Sequence, residues 1–169
     1  MSLLNTNFDI ISHDPHPNAP VGLLTLLDVE GAPLPGSGGT PVAGTINPGS
    51  IVAINPATGK AVLADNANAM TNAPCMLFVT VDGDVDFDGA FFHRITCIQG
   101  GVEIQTQQFV AGSYTVGAML TCGSGADAGK FRAATSGEQI YGVVGVNGYD
   151  ATKGTLHVVI PQGISPAIA

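Results

Sequence analysis

From Thr45 onward the chain is a succession of short β-rich runs punctuated by turn signals, and no other feature limits its fold as much. SIVAIN, the turn PATG and KAVLAD come first, followed by MLFVTV, DG and DVDFDGAFFHRITCI. QGG then separates that run from VEIQTQQFV; SYTVGAMLTC, the turn GSGADAG, KFRAAT, QIYGVVGVNGYD and LHVVIP complete the series. Strands at this spacing, with almost no stretch of 3.6-residue period, predict an all-β fold built as a compact barrel or sandwich. Only 21–29 and DNANAMTNA (65–73) offer short helical candidates, and VGLLTLLDVE (21–30) reads equally as a strand. A chain of 169 residues suffices for one domain with a real core and is too short to favour two.

The series contains an internal echo. Pro48-Gly49-Ser50-Ile51-Val52-Ala53 leads to a turn ending in Gly59-Lys60 and on to Ala61-Val62-Leu63-Ala64. Ala111-Gly112-Ser113-Tyr114-Thr115-Val116 leads to a turn ending in Gly129-Lys130 and on to Phe131-Arg132-Ala133-Ala134. Each pair of runs is followed by an apolar strand, CMLFVTV in one and IYGVVGV in the other, so the reading is a duplicated β-unit.

Residues 1–20 read as an extended N-terminal arm ahead of a β-rich body spanning 21–169. Pro15, Pro17 and Pro20 restrict themselves and their predecessors to extended backbone. Leu3, Leu4, Phe8, Ile10 and Ile11 are too many apolar groups for a wholly solvated tail, so the arm is expected to dock. The segment 31–44, GAPLPGSGGTPVAG, is a Gly/Pro-rich loop within the body.

Charged residues make up only 11% of the chain, less than half the usual share, although 45% is hydrophobic. A surface covered by Gly, Ser, Thr, Asn and Gln suits a protein packed against other subunits, because fixed charges are costly to desolvate at the centre of an interface. The net charge is −8, and the five basic residues, Lys60, Arg94, Lys130, Arg132 and Lys153, are scattered. No cluster offers the footprint of phosphate contacts, so nucleic acid is not an expected partner. Nor is a membrane, since no apolar run reaches the length of a span, and the absence of a signal-peptide pattern points to a cytoplasmic site of synthesis. Cys75, Cys97 and Cys122, odd in number and widely spaced, read as small buried hydrophobes.

The stretch VDGDVDFDGAFF (81–92) tests for a metal. Asp84, Asp86, Asp88 and Gly89 open like a calcium loop, but the twelfth position, which must supply a bidentate carboxylate, is Ile95. Val81, Val85 and Phe87 alternate with the acids as on a half-buried strand, and Asp82-Gly83 then becomes a hairpin turn. No His, Cys and acid trio has metal-ligand spacing, so neither a metal nor another cofactor is expected. For catalysis His13 and His16 lie in the arm, whereas His93 and His157 read as strand histidines with satisfied hydrogen bonds. No nucleophile elbow occurs, and GSGGT (36–40) and GSGADAGK (123–130) are read as turns rather than phosphate cradles. The balance favours a structural protein over an enzyme.

NPGSIVAINPATGKAVLAD and FVAGSYTVGAMLTCGSGADAGKFRAATSGEQIYGVVGV resemble the capsid decoration, or cement, proteins of tailed bacteriophages. The shared pattern is a Gly-introduced strand, a turn, a "GK" before an alanine-containing apolar strand, and a "GVV"-type strand, here Gly49 to Asp65 and Gly112 to Val146. The resemblance covers roughly 48–160. It implies a compact β-rich body, commonly a homotrimer, bound to the major capsid protein on the exterior of the virion. It further implies an N-terminus reaching across capsomers, with Leu3, Leu4, Phe8, Ile10 and Ile11 as capsid contacts. The chain departs from the pattern in its longer Pro/Gly-rich segment before the first β-unit. The alternative from the residues is a β-sandwich recognition module of a phage fibre or tail. Such a module would bind a glycan through Tyr114, Tyr141, Tyr149 with Asp150, and Phe91 with Phe92.

Overall fold

A computed structural model describes residues 8–13, 23–28, 46–66, 77–80 and 94–161. Among the described residues eleven strands run in chain order: β1 (Phe8–His13), β2 (Leu23–Asp28), β3 (Ile51–Ile54), β4 (Ala61–Leu63), β5 (Leu77–Thr80), β6 (Arg94–Gln99), β7 (Val102–Thr106), β8 (Met119–Cys122), β9 (Phe131–Ala133), β10 (Gly142–Asp150) and β11 (Thr155–Ile160). They form two antiparallel sheets, ordered β2-β6-β5-β3-β4 and β1-β7-β11-β10-β8-β9, so the fold is all-β as the strand spacing predicts. Within 21–29 the described residues Leu23–Asp28 form strand β2 rather than helix, because they pair along their whole length with β6. The Asp82-Gly83 hairpin, the aspartates up to Asp88, and most of the helical candidate at 65–73 lie outside the described residues.

The two sheets share one wiring. Taken in chain order, the strands of the first occupy positions 2-6-5-3-4 and those of the second, apart from β1, positions 7-11-10-8-9. Registers match as well. Val52 faces Leu63 and Phe78 just as Leu120 faces Ala133 and Gly142. Val79 opposes Ile98 as Val143 opposes Val159, and Thr25 opposes Cys97 as Ile104 opposes Val158. Gly59-Lys60 and Gly129-Lys130 therefore fall at equivalent places before β4 and β9, where the sequence echo puts them. The other leg of the echo is displaced. The structural counterpart of Ile51 is Met119, not Tyr114, because a turn at Val116–Gly117, with Gly117 at φ 83°, delays the strand. A side-chain exchange accompanies the duplication: Ala61 and Phe78 hold the register positions taken by Phe131 and Gly142 in the second unit. Gly142 must lack a side chain, since a Cβ there would meet Val158 Cγ1 at 2.7 Å.

The second sheet closes on itself. Beyond β7 the chain runs alongside β9, where the Phe131 N–H donates to the Gln108 carbonyl at 2.9 Å and the Val110 N–H to the Phe131 carbonyl at 2.8 Å. Inside this barrel Leu120, Cys122, Phe131, Val144, Leu156 and Val158 pack as one buried cluster, the alternation of each strand directing every second side chain inward. Val52, Ala61, Ile95 and Cys97 form the corresponding cluster of the first unit. Cys97 and Cys122 are thus buried as expected, and burial pushes the Cys122 thiol up to about 12. Cys75 lies outside the described residues.

The units are joined covalently through Gly100 and Gly101, at φ 66° and 67°, conformations that side chains with a Cβ rarely adopt. They also dock. The β8–β9 hairpin tip lies along the start of β3, where the Ile51 N–H donates to the Gly129 carbonyl at 2.8 Å and the Gly129 N–H donates to the Ala64 carbonyl at 2.7 Å. Ile51, Ala64 and Ile98 of the first unit thereby join the second unit's core.

Candidate interaction surface

Among the described residues the longest uninterrupted absence of charge begins after Glu103: no Asp, Glu, Lys, Arg or His occurs from 104 to 126, nor from 139 to 149. The fold brings these two segments together. β8 pairs with β10, the Gly117 N–H donates to the Val144 carbonyl at 2.8 Å, and Val116 leans over Gly148. The outcome is an uncharged surface on which Val146 is 80% exposed, Val116 53%, Met119 49% and Tyr149 48%. Single exposed apolar side chains are ordinary; four concentrated on adjoining segments free of charge make this the candidate contact surface.

An irregularity in β10 shapes this surface. Val144 opposes Val158 and Tyr149 opposes Leu156, so five steps along β10 span only two along β11 and the surplus residues arch outward. His157 fills the space beneath. It is buried, its Nδ1 accepts the Asn147 N–H at 3.1 Å, and a Cβ at Gly145 would meet its ring at 2.6 Å. With Nδ1 as acceptor the neutral ring carries its proton on Nε2, which lies 3.4 Å from Glu103 Oε2 without hydrogen-bond geometry. The imidazole props the arch from below.

Aromatic rings stiffen the flank. Phe109 meets Tyr114 edge-on at 5.7 Å and Tyr149 at 5.6 Å between centroids, within the range of favourable ring pairs. The Tyr114 hydroxyl donates to the Val110 carbonyl, and burial raises its pKa above the usual phenol value. Of the tyrosines suggested by the sequence, Tyr114 and Tyr149 are therefore brought together through Phe109, and Tyr149 alone is well exposed. Phe91 and Phe92 lie outside the described residues.

At the joint between the units Glu138 collects four donors. Arg132 Nη1 donates to Oε2 at 3.0 Å and Nη2 to Oε1; the Thr135 N–H reaches Oε2 at 2.7 Å and Asn66 Nδ2 reaches Oε1 at 2.7 Å. Foremost among the causes, the Arg132 hydrogen bonds lower the Glu138 carboxyl to about 2. This group clasps the first unit to the second through Asn66. Among the described residues no three His, Cys, Asp or Glu side chains are gathered as a metal site, and no helix is long and apolar enough to cross a membrane.

The structure places the described part of the arm, Phe8–His13, on the body's own second sheet. Phe8, Ile10 and Ile11 lie in β1, which pairs antiparallel with β7 from Phe8↔Thr106 to His13↔Val102, with an irregularity between Ile10 and Ser12. Leu3, Leu4, His16 and His93 lie outside the described residues. Sequence reasoning names none of Val116, Met119 and Val146 as a surface residue. The available signal is the charge-free stretch itself, although which of its residues face outward depends on the β10 arch.

No protein-family model, curated protein sequence or solved structure matches the chain.

Proposed function

We propose that the protein is a structural decoration, or cement, protein of a tailed-phage capsid, acting on the virion exterior through contacts with the major capsid protein and with its own copies. The observation that carries this reading is the uncharged surface at Val116, Val146 and Tyr149 on a chain whose net charge is −8. Such a surface loses little on desolvation and is held in shape by a buried histidine and a ring cluster, so it is prepared for a protein partner. The sequence resemblance and the scarcity of charge agree with the same role. A shell-binding protein works by many modest contacts repeated by symmetry, whose combined strength exceeds that of any one. Under this reading Leu3, Leu4, Phe8, Ile10 and Ile11 add a second contact from the arm, and the assembled form is a homotrimer.

Sedimentation of particles from the native source, with this protein quantified against the major shell protein, tests the reading. Hundreds of copies per particle are expected, and absence from particles would overturn it. One observation favours a second reading: the half-exposed Tyr149 ring, backed by Phe109 and followed by Asp150, has the form of a sugar-stacking platform. A handful of copies per particle, together with binding on a glycan array, would move the protein to a fibre or tail.

A further inference from the structure

The duplicated wiring places the same structural position twice in one chain, once covered and once open. In the first unit that position is Ile51 with Ala64: the Ala64 N–H donates to the Ile51 carbonyl at 3.0 Å, Ile51 is 1% exposed, and the tip at Gly129 lies across both. Met119 and Ala134 repeat it in the second unit, the Ala134 N–H donating to the Met119 carbonyl at 2.9 Å. Among the described residues no hairpin tip covers them, and Met119 is 49% exposed. The element equivalent to the covering tip, the β3–β4 turn, is likewise open. Pro56, Ala57, Thr58 and Gly59 are exposed, and nothing lies within 4 Å of a Cβ built on Gly59.

We infer that two copies of this chain associate head to tail, the β3–β4 tip of one lying on Met119 and Ala134 of the other as the Gly129 tip lies on Ile51 and Ala64 within the chain. Three observations commit the site to a second copy. The chain already contains the contact once, built from equivalent elements in matching register. The contact residues themselves, Pro56 to Gly59 on the tip and Met119 and Ala134 on the face, are uncharged, so two acidic molecules meet there with little repulsion. Lys60, at the foot of the tip, brings one of only five basic side chains toward an acidic partner. The β3–β4 turn is two residues shorter than its counterpart, 55–60 against 123–130, and the Gly59 N–H is already bonded to the Asn55 carbonyl at 2.7 Å. The contact between copies therefore uses the Gly59 carbonyl and the apolar faces rather than both backbone bonds, and is weaker than the one within the chain. Because its two sides differ, it generates rings or chains rather than closed face-to-face pairs.

The inference rests on the matched registers and not on the decoration reading. Its test is sedimentation equilibrium of the full-length protein over a concentration series reaching the millimolar range, with Met119→Arg and Ala57→Arg as variants. Both positions are exposed, so both variants are expected to melt with the parent; should Met119→Arg not do so, Met119→Gln takes its place. The parent is expected to gain mass with concentration and each variant alone to stay monomeric. An equimolar mixture of the variants is expected to form one-to-one pairs, since the intact tip of one meets the intact face of the other. A parent that stays monomeric, a variant that associates as the parent does, or a mixture that forms no pairs would each overturn the inference. None of these outcomes alters the count of copies on particles.

Discussion

Arg132 grips Glu138 with both terminal nitrogens, and the same carboxylate also holds Asn66 of the other unit. One acidic side chain thus couples the β9 strand, the loop after it and the joint between the two units. Replacement by Gln keeps the shape and removes the charge. Glu138→Gln is expected to cost roughly 1–3 kcal/mol, the range for charge-assisted hydrogen bonds with a partner left behind. Chemical denaturation at neutral pH checks this.

The same pair predicts an acid response. The folded Glu138 carboxyl, at about 2, lies below its ordinary value of 4.5. Its contribution is complete above the ordinary value and is lost as pH falls from there through about 2. Melting curves across this window should show the parent losing stability more steeply than Glu138→Gln, and the two should converge at the acid end. Parallel curves would refute the assignment.

Gly129 predicts the strength of the joint. Its φ of 78° is unfavourable for any residue with a Cβ, and a Cβ there would run into Leu63 Cδ2. Gly129→Ala is expected to destabilise by about 1–3 kcal/mol through strain and overpacking. Because the tip seals Ile51, amide exchange at Ile51 should accelerate more than exchange at Val158 inside the barrel.

The β10 arch depends on a glycine for a different reason. A Cβ at Gly145 would lie 2.6 Å from the His157 ring, so Gly145→Ala must lift the arch or expel the imidazole. The expected cost is about 1–3 kcal/mol, accompanied by loss of the Asn147 amide's hydrogen-bonded chemical shift. Unchanged stability with an unchanged Asn147 resonance would show that His157 does not prop the arch.

Deletion of residues 1–20 removes β1 and bares one edge of β7. The body retains β11 on the other side of β7, so it is expected to fold with a lowered melting temperature and a tendency to aggregate through the uncovered edge. Under the proposed function the truncated protein also binds shells less tightly. Unchanged shell affinity would remove the arm from the contact.

Alternation and turn chemistry made the individual strands legible. SIVAIN, KAVLAD, VEIQTQQFV and LHVVIP contain β3, β4, β7 and β11, and QGG proved to be a turn of two glycines at positive φ. Where local signals were mixed, pairing decided: VGLLTLL carries apolar residues at both periods and became a strand because β6 lies beside it. SYTVGAMLTC yielded only four strand residues because Gly117 turns the chain first. The shared wiring was half visible, since the glycine before β4 and β9 survives in both units, whereas the start of β8 is displaced. The surface was the least legible part. Whether Val146 or Val144 faces outward depends on surplus residues in β10, and that surplus is defined only against β11.

The arm's strand pairs with β7, whose register partners follow it by 89 to 98 positions in the chain. On the ribosome, then, β1 emerges long before its partner exists, and the first unit can assemble while the arm is still unattached. Only when the second unit leaves the exit tunnel does the arm find an edge to join. At that moment the β7 of a neighbouring nascent chain presents the same edge, so crowded synthesis on one message would favour exchange of arms between sister molecules.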